Sequence, residues 1–94
     1  MARAMFNGEV IAESDDIVEV EGNLYFPADS LNTGFVQESD LKTACPWKGE
    51  ASYLDVVVGD KRVENGAWYY PETKEAANNI KGRYAFWNGV QVEA

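Results

Sequence analysis

The residues best suited to chemistry fall in one run, Thr43-Ala-Cys-Pro-Trp-Lys-Gly-Glu-Ala-Ser-Tyr53. It holds the chain's one cysteine, Cys45, and one of its three tryptophans, Trp47. Pro46 and Gly49 constrain the backbone on either side of Trp47 and Lys48, so the run reads as a shaped turn. Turns of this kind, held by a rigid scaffold, are where small domains place binding groups. Lys48 offers a point charge with three donors, suited to a carboxylate or a phosphate. The alternative is a structural ion pair, with Glu50 the nearest acid in sequence. A reactive Cys45 thiol needs a nearby base or cations to lower its pKa. Lys42 and Lys48 are close in sequence, but the chain has no histidine. The competing reading of Cys45 is a small buried anchor for the turn.

Aromatic residues flank or pair with this turn. Trp47, Tyr53, Trp68 and Tyr70 are the candidates for a wall against the flat part of a ligand, with tyrosine hydroxyls fixing its orientation. Thr43 and Cys45 would support the turn beside Lys48. The acidic pairs, Asp15-Asp16 and Glu19-x-Glu21, are weaker candidates. Nucleotidyl transfer calls for two or three acids converging on Mg²⁺ with donors for the phosphates. The first pair reads as a turn and the second as the solvent face of a strand, and no phosphate-binding glycine loop precedes either. Without histidine, the usual zinc ligand sets and the His-dependent dyads and triads are excluded. The sequence implies no metal site and no cofactor.

These groups must be positioned by hairpins. Asn7-Gly8, Asn65-Gly66 and Asn88-Gly89 are pairs favoured by two-residue type I′ turns, and Gly22-Asn23 and Gly59-Asp60 suit type II′. They separate short runs rich in β-branched and aromatic residues, which predict strands over 2–6, 9–13, 17–21, 24–26, 52–58, 61–64, 67–70, 83–87 and 90–93. Apolar residues on both faces of 53–58 mark a central strand. One short helix is predicted over 74–81, with Thr73 as its cap and Ala76, Ala77 and Ile80 toward the sheet. Residues 27–42 read as a long connection with a turn of 3₁₀ helix near 28–31. The fold class is mainly β: a small, strongly bent antiparallel sheet or partly closed barrel of hairpins with one short helix.

With 94 residues the chain is expected to form a single domain with one modest core. Residues 1–40 carry nine acids against Arg3 alone, whereas 41–94 carry seven of each sign. That acidic front half argues against nucleic-acid partners. No apolar run approaches the roughly 20 residues of a membrane helix. The N-terminus lacks the apolar stretch of a signal peptide. With the unpaired cysteine, these features predict a cytoplasmic protein without a membrane partner.

The quoted run, together with Phe6-Asn-Gly-Glu-Val-Ile-Ala12, Tyr25-Phe26-Pro27, Ala67-Trp-Tyr-Tyr-Pro71 and Ile80-Lys-Gly-Arg-Tyr-Ala-Phe-Trp87, resembles the domain of unknown function family 427 (DUF427) in its short bacterial form. The resemblance implies a compact β fold, and it also carries a nucleotidyltransferase label. This chain departs from similar proteins at Leu41-Lys42, where they often carry His, and at Ala28. The leading expectation is a β module that binds a small anionic or planar ligand through Lys48, Trp47, Tyr53, Trp68 and Tyr70. The alternatives are a homodimeric interaction module and a nucleotidyltransferase-like or other enzyme.

Overall fold

A computed structural model describes residues 1–94. It is mainly β, as the sequence predicts, in three antiparallel sheets that do not close into a barrel. Strands β1 (Ala2–Phe6), β2 (Glu9–Ser14) and β9 (Gln91–Glu93) form one sheet in the order β2-β1-β9. Strands β3 (Val18–Val20) and β4 (Asn23–Tyr25) form a small hairpin. The largest sheet runs β5-β6-β7-β8, built from Val36–Cys45, Gly49–Val58, Lys61–Tyr69 and Tyr84–Phe86. No helix is long and apolar enough to cross a membrane.

Alternation along the large sheet separates two hydrophobic clusters. On one face Leu54, Val56, Val58, Ala67 and Phe86 meet Ala2, Ala4, Ile11, Ala12, Phe26 and Val90. On the other, Ala51, Tyr53, Trp68, Tyr70 and Ala85 meet Tyr25, Ala77 and Ile80. Period-two geometry makes this partition unavoidable once β6 is central. The placement of Trp68 and Tyr70 opposite Tyr69 follows the same parity.

Several local predictions change. Asn65-Gly66 is no hairpin end, because β7 passes through it. Between the pairs Leu54–Ala67 and Val56–Val63, β6 supplies one residue and β7 supplies Glu64, Asn65 and Gly66. Asn65 takes the left-handed conformation (φ 56°), and Asp55 Oδ1 accepts its backbone N–H at 2.8 Å. The result is a bulge that kinks the strand. Gly66 is required there by packing, since a Cβ would lie 2.9 Å from Val63 Cγ1. The β3–β4 turn is centred one residue earlier than predicted, on Glu21 and Gly22, both at positive φ (55° and 80°). Asn88 and Gly89 do turn the chain, but β8 and β9 then enter different sheets.

The connection over 27–42 contains two short 3₁₀ turns, Ala28–Ser30 and Thr33–Phe35, and most of β5. The missed strand is an edge strand with exposed polar side chains, so it has no apolar alternation to read. Backbone pairing to β6 holds it in place. The predicted short helix is present as a 3₁₀ segment over Glu75–Ile80, although Thr73 does not cap it. Three residues per turn align Ala77 with Ile80, which are buried, and leave Ala76 exposed.

Candidate functional site

Cys45 pairs with Gly49 across the β5–β6 ladder, so Pro46, Trp47 and Lys48 form a three-residue hairpin loop. Gly49 sits at φ 120°, and a Cβ there would come within 3.1 Å of the Glu72 carbonyl oxygen. The loop is fastened to the segment leading into the 3₁₀ turn from both sides. The Lys74 backbone N–H donates to the Lys48 carbonyl at 3.0 Å, and Lys74 Nζ donates to the Pro46 carbonyl at 2.6 Å. The loop therefore has a fixed shape, as Pro46 and Gly49 led one to expect.

That shape turns Lys48 inward. The residue is 8% exposed, and its ammonium lies 5.3 Å from the Trp47 ring centroid and 5.6 Å from that of Tyr70. It donates to Glu21 Oε1 from the β3–β4 turn. The ion-pair partner is thus Glu21, 27 residues away in sequence, rather than Glu50. Burial draws the Lys48 pKa downward, but the Glu21 hydrogen bond and the negative potential of Tyr25, Tyr70 and Glu21 outweigh it and leave the pKa raised. Burial likewise raises the Tyr70 hydroxyl, an effect the nearby ammonium opposes. Lys48 is accordingly a cation, held by charge and rings together.

Beyond the ammonium lies an open depression of about 210 Å³ lined by Asn23, Lys48, Tyr53, Trp68, Tyr70 and Trp87. Four of the seven residues singled out in the sequence line it: Lys48, Tyr53, Trp68 and Tyr70. Trp47, 40% exposed, stands against Lys48 outside it. Thr43 Oγ1 is 3.0 Å from the Tyr53 hydroxyl and steadies that ring from β5. Cys45 is half-buried against the aromatic cluster, in keeping with an anchoring role. A larger groove of about 340 Å³ runs between Gly49, Glu50 and residues 71–74. It presents no aromatic ring, and its one cation, Lys74, already binds Pro46.

Trp87, Tyr25 and Asn23 were not among the sequence candidates, and Glu21 was weighed only as half of the Glu19-x-Glu21 pair for Mg²⁺. Trp87, 45% exposed, packs edge-on to Trp68 at 5.4 Å and tilted against Tyr53 at 6.5 Å. The bulge in β7 positions it. Asn65 and Gly66 turn their carbonyls toward residue 87, accepting Trp87 Nε1–H at 2.6 Å and its backbone N–H at 3.0 Å. Tyr25 lies beneath, fully buried and perpendicular to Trp68, whose Nε1–H it accepts at 3.2 Å. The Asn65-Gly66 pair was visible in the sequence, but as a turn signal it pointed away from a site.

The acids do not assemble. Asp16 is held by Arg83 (Nη2 to Oδ1, 3.1 Å), Glu13 by Arg3 and Asp15 by the N-terminal ammonium, while Glu21 meets Lys48. No three Asp, Glu or Cys side chains converge as a metal site.

Fold and site together define a small mainly-β protein in which one sheet face carries a buried lysine among aromatic rings. The model of the family described as Domain of unknown function (DUF427) matches residues 1–94, and the chain belongs to that family. No curated protein matches the chain.

Proposed function

We propose that this protein binds a small planar ligand with an anionic group in the depression formed by Asn23, Lys48, Tyr53, Trp68, Tyr70 and Trp87. The observation that carries this reading is a buried ammonium at the edge of an aromatic wall that still opens to solvent. The Lys48 charge is balanced only by a half-exposed carboxylate, Glu21, and a stack of rings with one polar edge is a common plan for small-molecule sites. Tyr53 and Trp68 supply flat apolar surface, Trp87 supplies an exposed ring, and Lys48 supplies the charge that sets orientation. Thr43, Cys45 and Trp47 hold the wall and the loop in register.

The test is a thermal-shift and tryptophan-fluorescence screen of planar acids and nucleotides, with and without Mg²⁺, on wild type and Lys48→Met. A ligand at about one hundred times its Kd stabilises the folded state by about 2.7 kcal/mol. In a domain of this size that is a rise in Tm of roughly ten degrees or more. The rise should appear in wild type and vanish in Lys48→Met. A folded wild type that shows no shift across the panel, and runs as a dimer in which Trp87 is shielded from quenchers, would favour the homodimeric interaction module. A shift with nucleotides that required Mg²⁺ would favour the transferase alternative.

A further inference from the structure

Two features of the depression narrow its ligand, an inference that rests on the reading of the depression as a binding site. The first is size. At about 210 Å³ the space is smaller than the roughly 300–1,000 Å³ of sites for drug-sized molecules. One aromatic ring with a short substituent fits that space. A nucleotide's ribose and phosphates would project through the open side, away from the rings and the ammonium that line it.

The second is charge. The Lys48 ammonium is already neutralised by Glu21. An incoming anion that left Glu21 in place would put two negative charges around one cation, in a protein of net charge −8. Exchange of one carboxylate for another keeps the local charge balanced, whereas a dianionic phosphate does not. Glu21 is suited to leave. Its side chain is 53% exposed, and it sits on the two-residue turn of a hairpin whose strands are three residues each. Rotation about its side-chain bonds brings the carboxylate into water without disturbing a backbone pair. Asn23, two residues further along, places an amide on the rim of the same depression.

We infer that Glu21 is a built-in competitor whose carboxylate occupies the Lys48 ammonium in the free protein, and that the ligand is a single-ring aromatic monocarboxylate that displaces it. Tyr53, Trp68 and Trp87 then meet the ring, and Lys48 meets the carboxylate that replaces that of Glu21.

The test uses benzoate and pyridine-3-carboxylate as probes, benzamide as the neutral isostere and AMP as the oversized anion. They are titrated into wild type, Glu21→Asn and Lys48→Met, followed by tryptophan fluorescence and calorimetry. Glu21→Asn makes an Asn-Gly pair at the turn, the preferred type I′ sequence, so the hairpin is retained while the competing carboxylate is lost. The carboxylates should bind Glu21→Asn about tenfold or more tighter than wild type, the loss of a charged hydrogen bond being worth that much. Benzamide affinity should be the same in both, and Lys48→Met should lose the preference for carboxylate. Equal affinity of the carboxylates for wild type and Glu21→Asn overturns the competitor role while leaving the depression a binding site. Benzamide binding as tightly as benzoate, or AMP binding more tightly, overturns the ligand class. Absence of binding by every probe to every variant, with circular dichroism showing each folded, overturns both this inference and the site itself.

Discussion

The two faces of the β5-β6-β7-β8 sheet are made by alternate residues of the same strands, yet they differ in kind. Leu54, Val56, Val58, Ala67 and Phe86 point into a core closed by β1 and β2, where Phe26 and Phe86 pack edge to face at 5.6 Å. Tyr53, Trp68, Tyr70 and Ala85 point the other way and are buried beneath the β3–β4 hairpin and the 3₁₀ turn, at the edge of an open depression. Their cover leaves Trp87 exposed and Lys48 with one partner drawn from a surface turn. The first face is mostly aliphatic and phenyl surface, with Tyr69 and Tyr84 at its margin, where the Tyr69 hydroxyl donates to Glu38. The second carries rings with polar atoms, each tied to a neighbour: Trp68 to Tyr25, Tyr53 to Thr43, Trp87 to Asn65. A polar atom on a ring is useful where the cover is incomplete. The difference teaches that one sheet can bury a plain apolar core on one side while leaving a charge and polar-edged rings near solvent on the other.

The largest effect should come from the closed face. Phe26→Ala removes a fully buried ring and should cost about 3–5 kcal/mol, measured by urea unfolding. A loss below about 1 kcal/mol would erase the contrast between the faces. Gly66→Ala tests the bulge that joins them. Its new Cβ meets Val63 and Val56, so overpacking of about 1–3 kcal/mol is expected. Because Trp87 hangs from the Asn65 and Gly66 carbonyls, its fluorescence should shift as well. Tyr25→Phe leaves the buried Trp68 N–H without its acceptor and should cost about 1–2 kcal/mol by the same unfolding assay. A cost near zero would show that solvent reaches Trp68 from the open side. Trp87→Ala should cost the least, about 1 kcal/mol from the lost edge-to-face pair, yet abolish ligand-induced thermal shifts.

Alkaline titration reaches both faces. Lys48 on the open side, and Tyr69 and Tyr84 on the closed side, all have raised pKa values. For both tyrosines burial is the main cause, reinforced by Glu38, whose carboxylate accepts the Tyr69 hydroxyl at 3.2 Å. A group whose pKa is higher folded than unfolded stabilises the fold below its unfolded pKa, and the contribution is lost as pH rises through the folded value. The unfolded references are 10.0 for tyrosine and 10.5 for lysine, so Tm should hold steady to about pH 9.5 and fall above it. Lys48→Met should make that fall shallower. A Tm profile unchanged by the substitution would mean that the Glu21 contact adds nothing to the charged form.

Much of the scaffold was legible in the residues. The alternation of β6, the hairpins at Asn7-Gly8 and Gly59-Asp60, and the rigid loop around Lys48 each rest on local geometry that short sequences encode. The edge strand β5 was not legible, because a strand exposed on most of its length has no hydrophobic period. The short helix was legible but its 3₁₀ form was not, because spacing of three and spacing of four cannot be told apart over eight residues. Of the residues that line the depression, Lys48, Tyr53, Trp68 and Tyr70 could be singled out because they flank or pair with a conspicuous loop. Trp87, which follows β8, and Glu21 as the partner of Lys48, from the β3–β4 turn, escaped because both are far from the loop in sequence.

The sequence alone determined which side chains could carry charge and stacking, and which backbone positions had to be glycine or asparagine. Those properties belong to single residues and their nearest neighbours. The tertiary structure decided which acid meets Lys48, that Asn65-Gly66 bends a strand instead of ending it, and that Trp87 completes the aromatic wall. Each of these depends on contacts between separate strands or turns, from Asn65 with Asp55 to Lys48 with Glu21 and Trp87 with Asn65. Local preference is satisfied equally by many partners, and packing of the whole chain selects one.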